Sequence, residues 1–91
     1  MKWWVYIVEC KDNSYYCGIA INVERRIQSH NAGRGAKYTK GRGPVHLLFA
    51  GEFESRSVAL RVEHTVKKTP KRKKVEFLRK KSEGRRVLEI T

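Results

Sequence analysis

The sequence is poor in cysteine and contains no long apolar run, and each shortage excludes a class of protein. Cys10 and Cys17 are seven residues apart, and the three histidines are not spaced to complete a zinc site with them. No apolar stretch reaches the ~20 residues of a membrane-spanning helix. Met1 and Lys2 lead directly into strand-like sequence. We therefore expect no signal peptide, no membrane partner and a reducing, cytoplasmic location.

Acidic residues are also scarce. The sequence has nine Asp and Glu and twenty-one Lys and Arg, which gives a formal net charge of +12. Eleven of the twenty-one basic residues lie between residues 67 and 86. Such a cationic surface attracts polyphosphate through counterion release. The basic stretch lacks the aromatic-rich opposite face of a lipid-binding helix. Nucleic acid is therefore the expected partner, with a merely solvated surface as the alternative.

Residues 3–19 have the pattern of a β-hairpin. β-Branched and aromatic residues flank the turn-forming segment 12–14. Tyr6 and Tyr16 lie one on each arm and share a face if the loop has an odd number of residues, such as 12–14, or if a strand carries a bulge. In that register the two cysteines point to opposite faces and form no disulfide.

A helix is expected after the hairpin. Asn22 is a suitable N-cap, and Gly33 is a natural stop. On a helical projection Arg26 and His30 lie one turn apart at the edge of the buried face, while Arg25 points to solvent. A snorkelling arginine and a packed histidine are the structural alternatives.

Residues 32–44 alternate glycines with cations and have no helical or strand period. Glycines let a backbone approach a ligand closely, and cations contact phosphates. A nucleotide P-loop pattern is absent, and a mobile surface loop is the alternative. The nucleic-acid contacts expected from this loop are Arg34, Lys37, Tyr38, Lys40 and Arg42.

The second half of the chain predicts a strand and two helices. The expected elements are a strand over residues 45–53, a second helix capped by Ser55 or Ser57 and ending near Lys68, a third helix starting at Thr69-Pro70, and an optional edge strand over residues 87–90. Glu63 lies at the margin of the apolar face of the second helix, so it needs a partner, for example Arg26, or a ligand role. The expected nucleic-acid contacts here are Lys67, Lys68, Lys71, Arg72 and Lys74.

Val5-Tyr6-Ile7 and Tyr16-Cys17-Gly18 resemble the two half-motifs of the GIY-YIG nuclease family. That family carries an arginine ten residues beyond the second tyrosine, and often a His or Tyr four residues later; Arg26 and His30 stand at these places. Its single metal-binding glutamate lies on the helix after the third strand, where this chain has Glu63.

The sequence departs from the family pattern at two places. Ile19 stands where repair-type members have a lysine, and residues 75–78 lack the asparagine that many members carry. The resemblance covers residues 3–80 and is closest to the small stand-alone members.

The resemblance implies one domain over residues 1–91, with a core over about 3–80 and a tail over 82–91. Its fold would be α+β, a small α/β sandwich in which a three-stranded mixed or antiparallel sheet is flanked by about three helices. The implied activity is metal-dependent endonucleolytic hydrolysis of nucleic-acid phosphodiesters, with DNA favoured over RNA, for example in DNA repair or processing.

The resemblance also implies a role for each site residue. Glu63 would hold a single Mg²⁺ or Mn²⁺ ion, and Arg26 would stabilise charge on phosphorus. Tyr6 is favoured as the base, with Tyr16 and His30 positioning water and relaying the proton, although swapped tyrosine roles stay open. Gly18 belongs to the structural motif. The rival interpretations are a catalytically weak DNA- or RNA-binding module and a ribosome-associated structural protein.

Overall fold

The computed structural model describes residues 1–89, which form a four-stranded antiparallel sheet and three helices. The elements are β1 (Trp3–Glu9), β2 (Tyr15–Ala20), α1 (Val23–Asn31), β3 (His46–Phe53), α2 (Arg56–Lys68), α3 (Lys71–Lys81) and β4 (Val87–Glu89). The strand order is β2-β1-β3-β4. The α+β class is confirmed, but the expectation of three strands is wrong, because β4 pairs with β3.

The hairpin places both tyrosines on one face. Tyr6 lies opposite Gly18, and Val8 lies opposite Tyr16. The strands are joined by residues 10–14, and the Cys10 N–H donates to Ser14 O at 2.8 Å, so the turn is centred on residue 12, one residue earlier than expected. Its length is still odd, so the predicted orientation holds, and the two tyrosine ring centroids are 6.3 Å apart.

The sheet has a hydrophobic core on each face. Val5 and Ile7 point to the face covered by α2 and α3, and Tyr6 and Val8 point to the face covered by α1. This alternation follows from the two-residue period of a strand. The two cysteines are buried on opposite faces as free thiols, as the hairpin register predicts.

Side-chain caps set the starts of the first two helices. Asn22 caps α1 and Ser55 caps α2, each accepting the N–H three residues further on. The third helix, expected to start at Thr69-Pro70 with Thr69 as its cap, begins at Lys71 instead. The Thr69 hydroxyl donates to Thr65 O at 2.8 Å at the end of α2, and Pro70 stands at the N-cap position of α3 without a side-chain cap.

The segment after α3 packs onto the sheet. Ser82 is buried and donates to Leu78 O at 2.7 Å. A Cβ on Gly51 of β3 would stand 1.9 Å from the Ser82 hydroxyl, so only glycine fits there. The optional edge strand is present over Val87–Glu89, while Ile90 of the expected range lies outside the described residues. Within residues 1–89, no helix has the length and apolar character needed to cross a membrane.

Candidate active site

Tyr6 and His30 form the centre of the site. Tyr6 lies in the middle of β1 and His30 in the last turn of α1, and both are buried. The Tyr6 hydroxyl is 2.8 Å from His30 Nε2. The ring of Tyr16, from β2, packs edge-on against His30 with centroids 5.4 Å apart. Residues distant in sequence are therefore brought together on the α1 face of the sheet.

Gly18 makes room for Tyr6. A Cβ at Gly18 would stand 2.5 Å from the Tyr6 hydroxyl oxygen and 3.1 Å from the Tyr16 ring. The cross-strand pairing of Tyr6 with Gly18 explains this closeness. The glycine of the second half-motif is therefore a packing requirement of the tyrosine pair.

Burial sets the charge state of the central pair. Desolvation raises the pKa of Tyr6 to about 12, outweighing the opposing effect of Arg26. Desolvation, assisted by Arg26, holds the pKa of His30 below its usual value of 6.5. Both side chains are consequently uncharged at neutral pH.

Arg26 faces the same group of rings. It is half-buried, whereas Arg25 is exposed, in agreement with the helical projection. Beside the larger effect of burial, the Arg26 guanidinium acts to lower the pKa of Tyr6, Tyr16 and His30. It is therefore electrostatically coupled to all three side chains.

Glu63 of α2 reaches the site from the other side of the β2 edge. Its side chain is 17% exposed and pairs with Lys67 at 3.5 Å, one turn later. Burial, together with the charge of Glu63, raises the pKa of Tyr16 and raises that of Cys17 to about 12. The expected alternative, an ion pair with Arg26, is not formed among residues 1–89.

Glu63 is the carboxylate that was expected to hold a metal ion. Within the described part of the chain, no three His, Cys, Asp or Glu side chains cluster as a ligand set. A partly buried carboxylate with one exposed partner fits a hard divalent cation whose remaining ligands are waters and substrate oxygens. This donor therefore fits the single ion that the family resemblance implies.

The glycine-rich loop is fixed at its two flanking residues and at Arg42, near its end. Asn31 exchanges two hydrogen bonds with the backbone of Val45, at 2.7 and 3.1 Å. Arg42 pairs with Asp12 at 2.7 Å, and its carbonyl accepts from Lys11 N–H. The loop is thus tied to α1 and to the hairpin turn, which argues against a mobile surface loop.

Tyr38 extends the aromatic group outward. Its ring stacks on Tyr16 with centroids 5.8 Å apart and an interplanar angle of 26°. The Arg42 guanidinium lies 4.3 Å from the Tyr38 ring centroid. Tyr38 is 42% exposed, so part of the ring is open to a ligand.

Sequence reasoning missed two loop residues, Gly35 and Thr39. Thr39 is buried, and its hydroxyl oxygen is 2.7 Å from His30 Nδ1. A Cβ at Gly35 would stand 2.1 Å from the same nitrogen. Because these contacts arise only when the loop folds back on α1, no periodicity in the sequence indicates them.

The remaining predicted cations lie in different settings. Lys67 lies 5.8 Å from the Tyr16 ring centroid, and Lys71 contacts the Tyr15 ring and the Asn13 carbonyl. Lys74 is half-buried and donates to two carbonyls at the end of α2. The side chain of Lys74 therefore stabilises the α2–α3 junction. The predicted cations that are exposed on the loop and the two helices are Arg34, Lys37, Lys40, Lys67, Lys68, Lys71 and Arg72.

Comparison with known proteins places these residues in one family. The model of the GIY-YIG catalytic domain matches residues 2–76, which contain the two half-motifs, Arg26, His30 and Glu63. A UPF0213 protein of Staphylococcus haemolyticus is 51% identical over 77 residues, covering 85% of this chain and 94% of the relative.

Two solved structures share the fold. The solution NMR structure of a UPF0213 protein from Bacillus halodurans is 45% identical, with a TM-score of 0.54, and the match covers 92% of this chain and 89% of that one. The solution NMR structure of a protein from E. faecalis is 35% identical, with a TM-score of 0.61, and the match covers 88% of this chain and 85% of that one. With its site residues inside the matched domain, the chain belongs to the GIY-YIG family.

Proposed function

We propose that this protein is a divalent-metal-dependent endonuclease that hydrolyses nucleic-acid phosphodiester bonds, with DNA favoured as substrate and DNA repair or processing as its setting. The observation that carries the proposal is the hydrogen bond between Tyr6 and His30 beside Arg26 and Tyr16. A proton acceptor for water and a fixed cation for a phosphate then lie together. The two free cysteines agree with a reducing, cytoplasmic location.

Glu63 would hold the metal, a single Mg²⁺ or Mn²⁺ ion. When bound, the ion supplies Lewis-acid stabilisation of the phosphate and the leaving oxygen. The partner of Glu63, Lys67, is 52% exposed. An exposed pair of this spacing contributes only ~0.3–0.5 kcal/mol, so Lys67 can release the carboxylate at little cost.

Tyr6 and His30 would move the proton as a pair. Because its pKa is about 12, Tyr6 keeps its own proton at neutral pH and is a poor base alone. Neutral His30 offers Nε2 at 2.8 Å. As water gives a proton to the Tyr6 oxygen, the Tyr6 proton passes to Nε2, and the resulting hydroxide attacks phosphorus.

Arg26 would stabilise the negative charge that develops on the phosphate. Its guanidinium presents donors in a fixed fork, which suits two phosphate oxygens at once. Its influence on Tyr6, Tyr16 and His30 supports a location beside the attacking water. Tyr16, half-buried between His30 and Tyr38, would position that water.

A catalytically weak DNA- or RNA-binding module is the second candidate. The ion pair between Glu63 and Lys67 favours it, because a carboxylate with a cationic partner has an explanation without metal. The buried Tyr6–His30 pair opposes it, since a binding surface needs no buried proton acceptor next to an arginine.

One experiment separates the two candidates. The purified protein is incubated with supercoiled plasmid, single-stranded DNA and RNA, each with Mg²⁺, Mn²⁺ or EDTA. The nuclease predicts nicking or cleavage with metal and none with EDTA. Binding to these substrates without metal-dependent cleavage would support the binding module instead.

A further inference from the structure

Thr39 is a buried side chain that contacts the outer nitrogen of His30. It is 1% exposed, and its Oγ1 lies 2.7 Å from His30 Nδ1 and 2.9 Å from the carbonyl oxygen of Ala36. A hydroxyl has a single proton to donate. Because the Ala36 carbonyl can only accept, Thr39 donates to it, and the Thr39 oxygen then accepts a hydrogen bond from the Nδ1–H of His30.

A weaker contact favours the other tautomer, in which Nδ1 is unprotonated. The N–H of Ala36 lies 3.4 Å from His30 Nδ1, which would make that nitrogen an acceptor. The 2.7 Å contact between Thr39 and Nδ1 fits either tautomer, so the other two contacts decide between them. The Thr39 hydroxyl can donate to the Ala36 carbonyl, at 2.9 Å, only if Nδ1 carries the proton, whereas the Ala36 N–H contact, at 3.4 Å, needs an unprotonated Nδ1. The shorter hydrogen bond is the stronger, and it places the proton on Nδ1.

We propose that Thr39 is a positioning residue that holds His30 with its proton on Nδ1, leaving Nε2 as the acceptor for the Tyr6 hydroxyl. The purpose of this arrangement rests on the proposed nuclease function. The arrangement itself rests on the chain of contacts from Tyr6 through His30 and Thr39 to Ala36.

The tautomer determines whether the proton can move. With Nδ1 protonated, the O–H bond of Tyr6 breaks as an N–H bond forms at Nε2, and Thr39 keeps its hydrogen bond to the imidazolium. With the proton on Nε2, Tyr6 would face a donor and could not pass its proton on. A histidine needs an orienting partner for this reason, and Thr39 supplies it here.

The glycine-rich loop makes this contact possible. Gly35 brings the backbone so close to His30 that a Cβ would stand 2.1 Å from Nδ1. The loop therefore covers the imidazole on the Nδ1 side. Thr39 belongs to the same loop, and its almost fully buried side chain is held against the ring that it orients.

The test measures the tautomer directly. Protein labelled with ¹⁵N at histidine is compared as parent, Thr39→Val and Thr39→Ser by long-range ¹H–¹⁵N correlation NMR, at a pH where His30 is neutral. We expect the Nδ1–H form in the parent and in Thr39→Ser, and a mixed or reversed population in Thr39→Val. In cleavage assays, kcat of Thr39→Val should fall by roughly 10²-fold, at the low end of general acid–base contributions, with KM nearly unchanged and Thr39→Ser restoring activity.

The outcomes are distinguishable. An Nε2–H tautomer in the parent protein overturns the proposal whatever the activity, and so does unchanged kcat in a folded Thr39→Val protein with mixed tautomers. If Thr39→Val does not fold, the parent and Thr39→Ser spectra still decide. A parent that cleaves nothing refutes the proposed function, while the NMR result continues to test the orientation of His30.

Discussion

Tyr6 and Gly18 are cross-strand partners, and the phenol of one lies over the bare backbone of the other. A Cβ at residue 18 would stand 2.5 Å from the Tyr6 oxygen and 2.8 Å from its Cζ. The hydrogen bond from Tyr6 to His30 therefore depends on an absent side chain. The hairpin register that pairs Tyr6 with Gly18 is therefore also what allows Tyr6 to reach His30.

Gly18→Ala should displace Tyr6 and break its hydrogen bond to His30. Overpacking a well-filled core destabilises by ~1–3 kcal/mol, so the melting temperature should fall and cleavage with it. Gly43→Ala is the matched control, because the nearest atom to its new Cβ is 4.0 Å away. Equal losses in both variants would show that the space beneath Tyr6 is not the constraint.

Arg26→Ala should abolish cleavage, and Arg25→Ala should leave most of it. The two residues are adjacent in sequence, but only Arg26 is half-buried beside the tyrosines and His30. Arg26→Lys should fail as well, because an ammonium cannot reproduce the guanidinium fork. Steady-state cleavage rates measure the effect, and similar losses for Arg25→Ala and Arg26→Ala would contradict the assignment.

Glu63→Gln should remove metal-dependent cleavage while leaving the fold intact. The variant loses only an ion pair with Lys67, worth ~0.3–0.5 kcal/mol. It should bind nucleic acid as well as the parent or better, because a carboxylate that repels phosphate is gone. Glu76→Gln, which disrupts a similarly spaced pair with Lys80, is the control and should cleave normally. Retained cleavage by a folded Glu63→Gln protein would falsify the active-site assignment.

Lys71→Gln together with Arg72→Gln should weaken nucleic-acid binding and flatten its salt dependence. For duplex DNA, each phosphate that the protein no longer neutralises changes the slope of log K against log salt by about 0.9. Lys74→Gln should behave differently, because Lys74 donates to the Val66 and Lys67 carbonyls and its removal should lower stability. Binding titrations at several salt concentrations decide, and an unchanged slope in the double variant would mean that these cations do not contact phosphate.

Folding stability should decrease as pH falls from 7 to 5 because of His30. Its pKa in the folded protein lies below the ordinary 6.5 through burial and Arg26, so the unfolded chain binds a proton that the folded chain resists. This contribution to stability is present above the unfolded-state pKa of about 6.5 and is lost as the pH falls below 6.5 through the lowered pKa of His30 in the folded protein. The midpoint of urea unfolding measures it. His30→Gln should flatten the profile relative to the exposed-site control His64→Gln, and parallel profiles would refute this origin.

The local features of the chain could be predicted from the sequence. The N-caps Asn22 and Ser55, the tyrosines on one face of the hairpin, and the solvent-facing Arg25 all follow from short-range rules. Such rules act over a few residues, where propensity and periodicity are informative. The fourth strand was harder to predict, because β4 is only three residues long and forms by pairing with β3.

Tertiary structure alone decided how the site is assembled. Spacing suggested Arg26 and His30, but only the folded loop brings Thr39 onto His30 and Tyr38 onto Tyr16. These two contacts depend on where separate segments pack against one another. The partner of Glu63, in contrast, is Lys67 one turn later in the same helix, a pairing that the i,i+4 spacing alone could have indicated. The sequence pattern determines which face of a strand or helix a residue occupies. The burial that keeps Tyr6 and His30 uncharged arises only when α1 and the loop pack onto the sheet, because only then are both side chains removed from water.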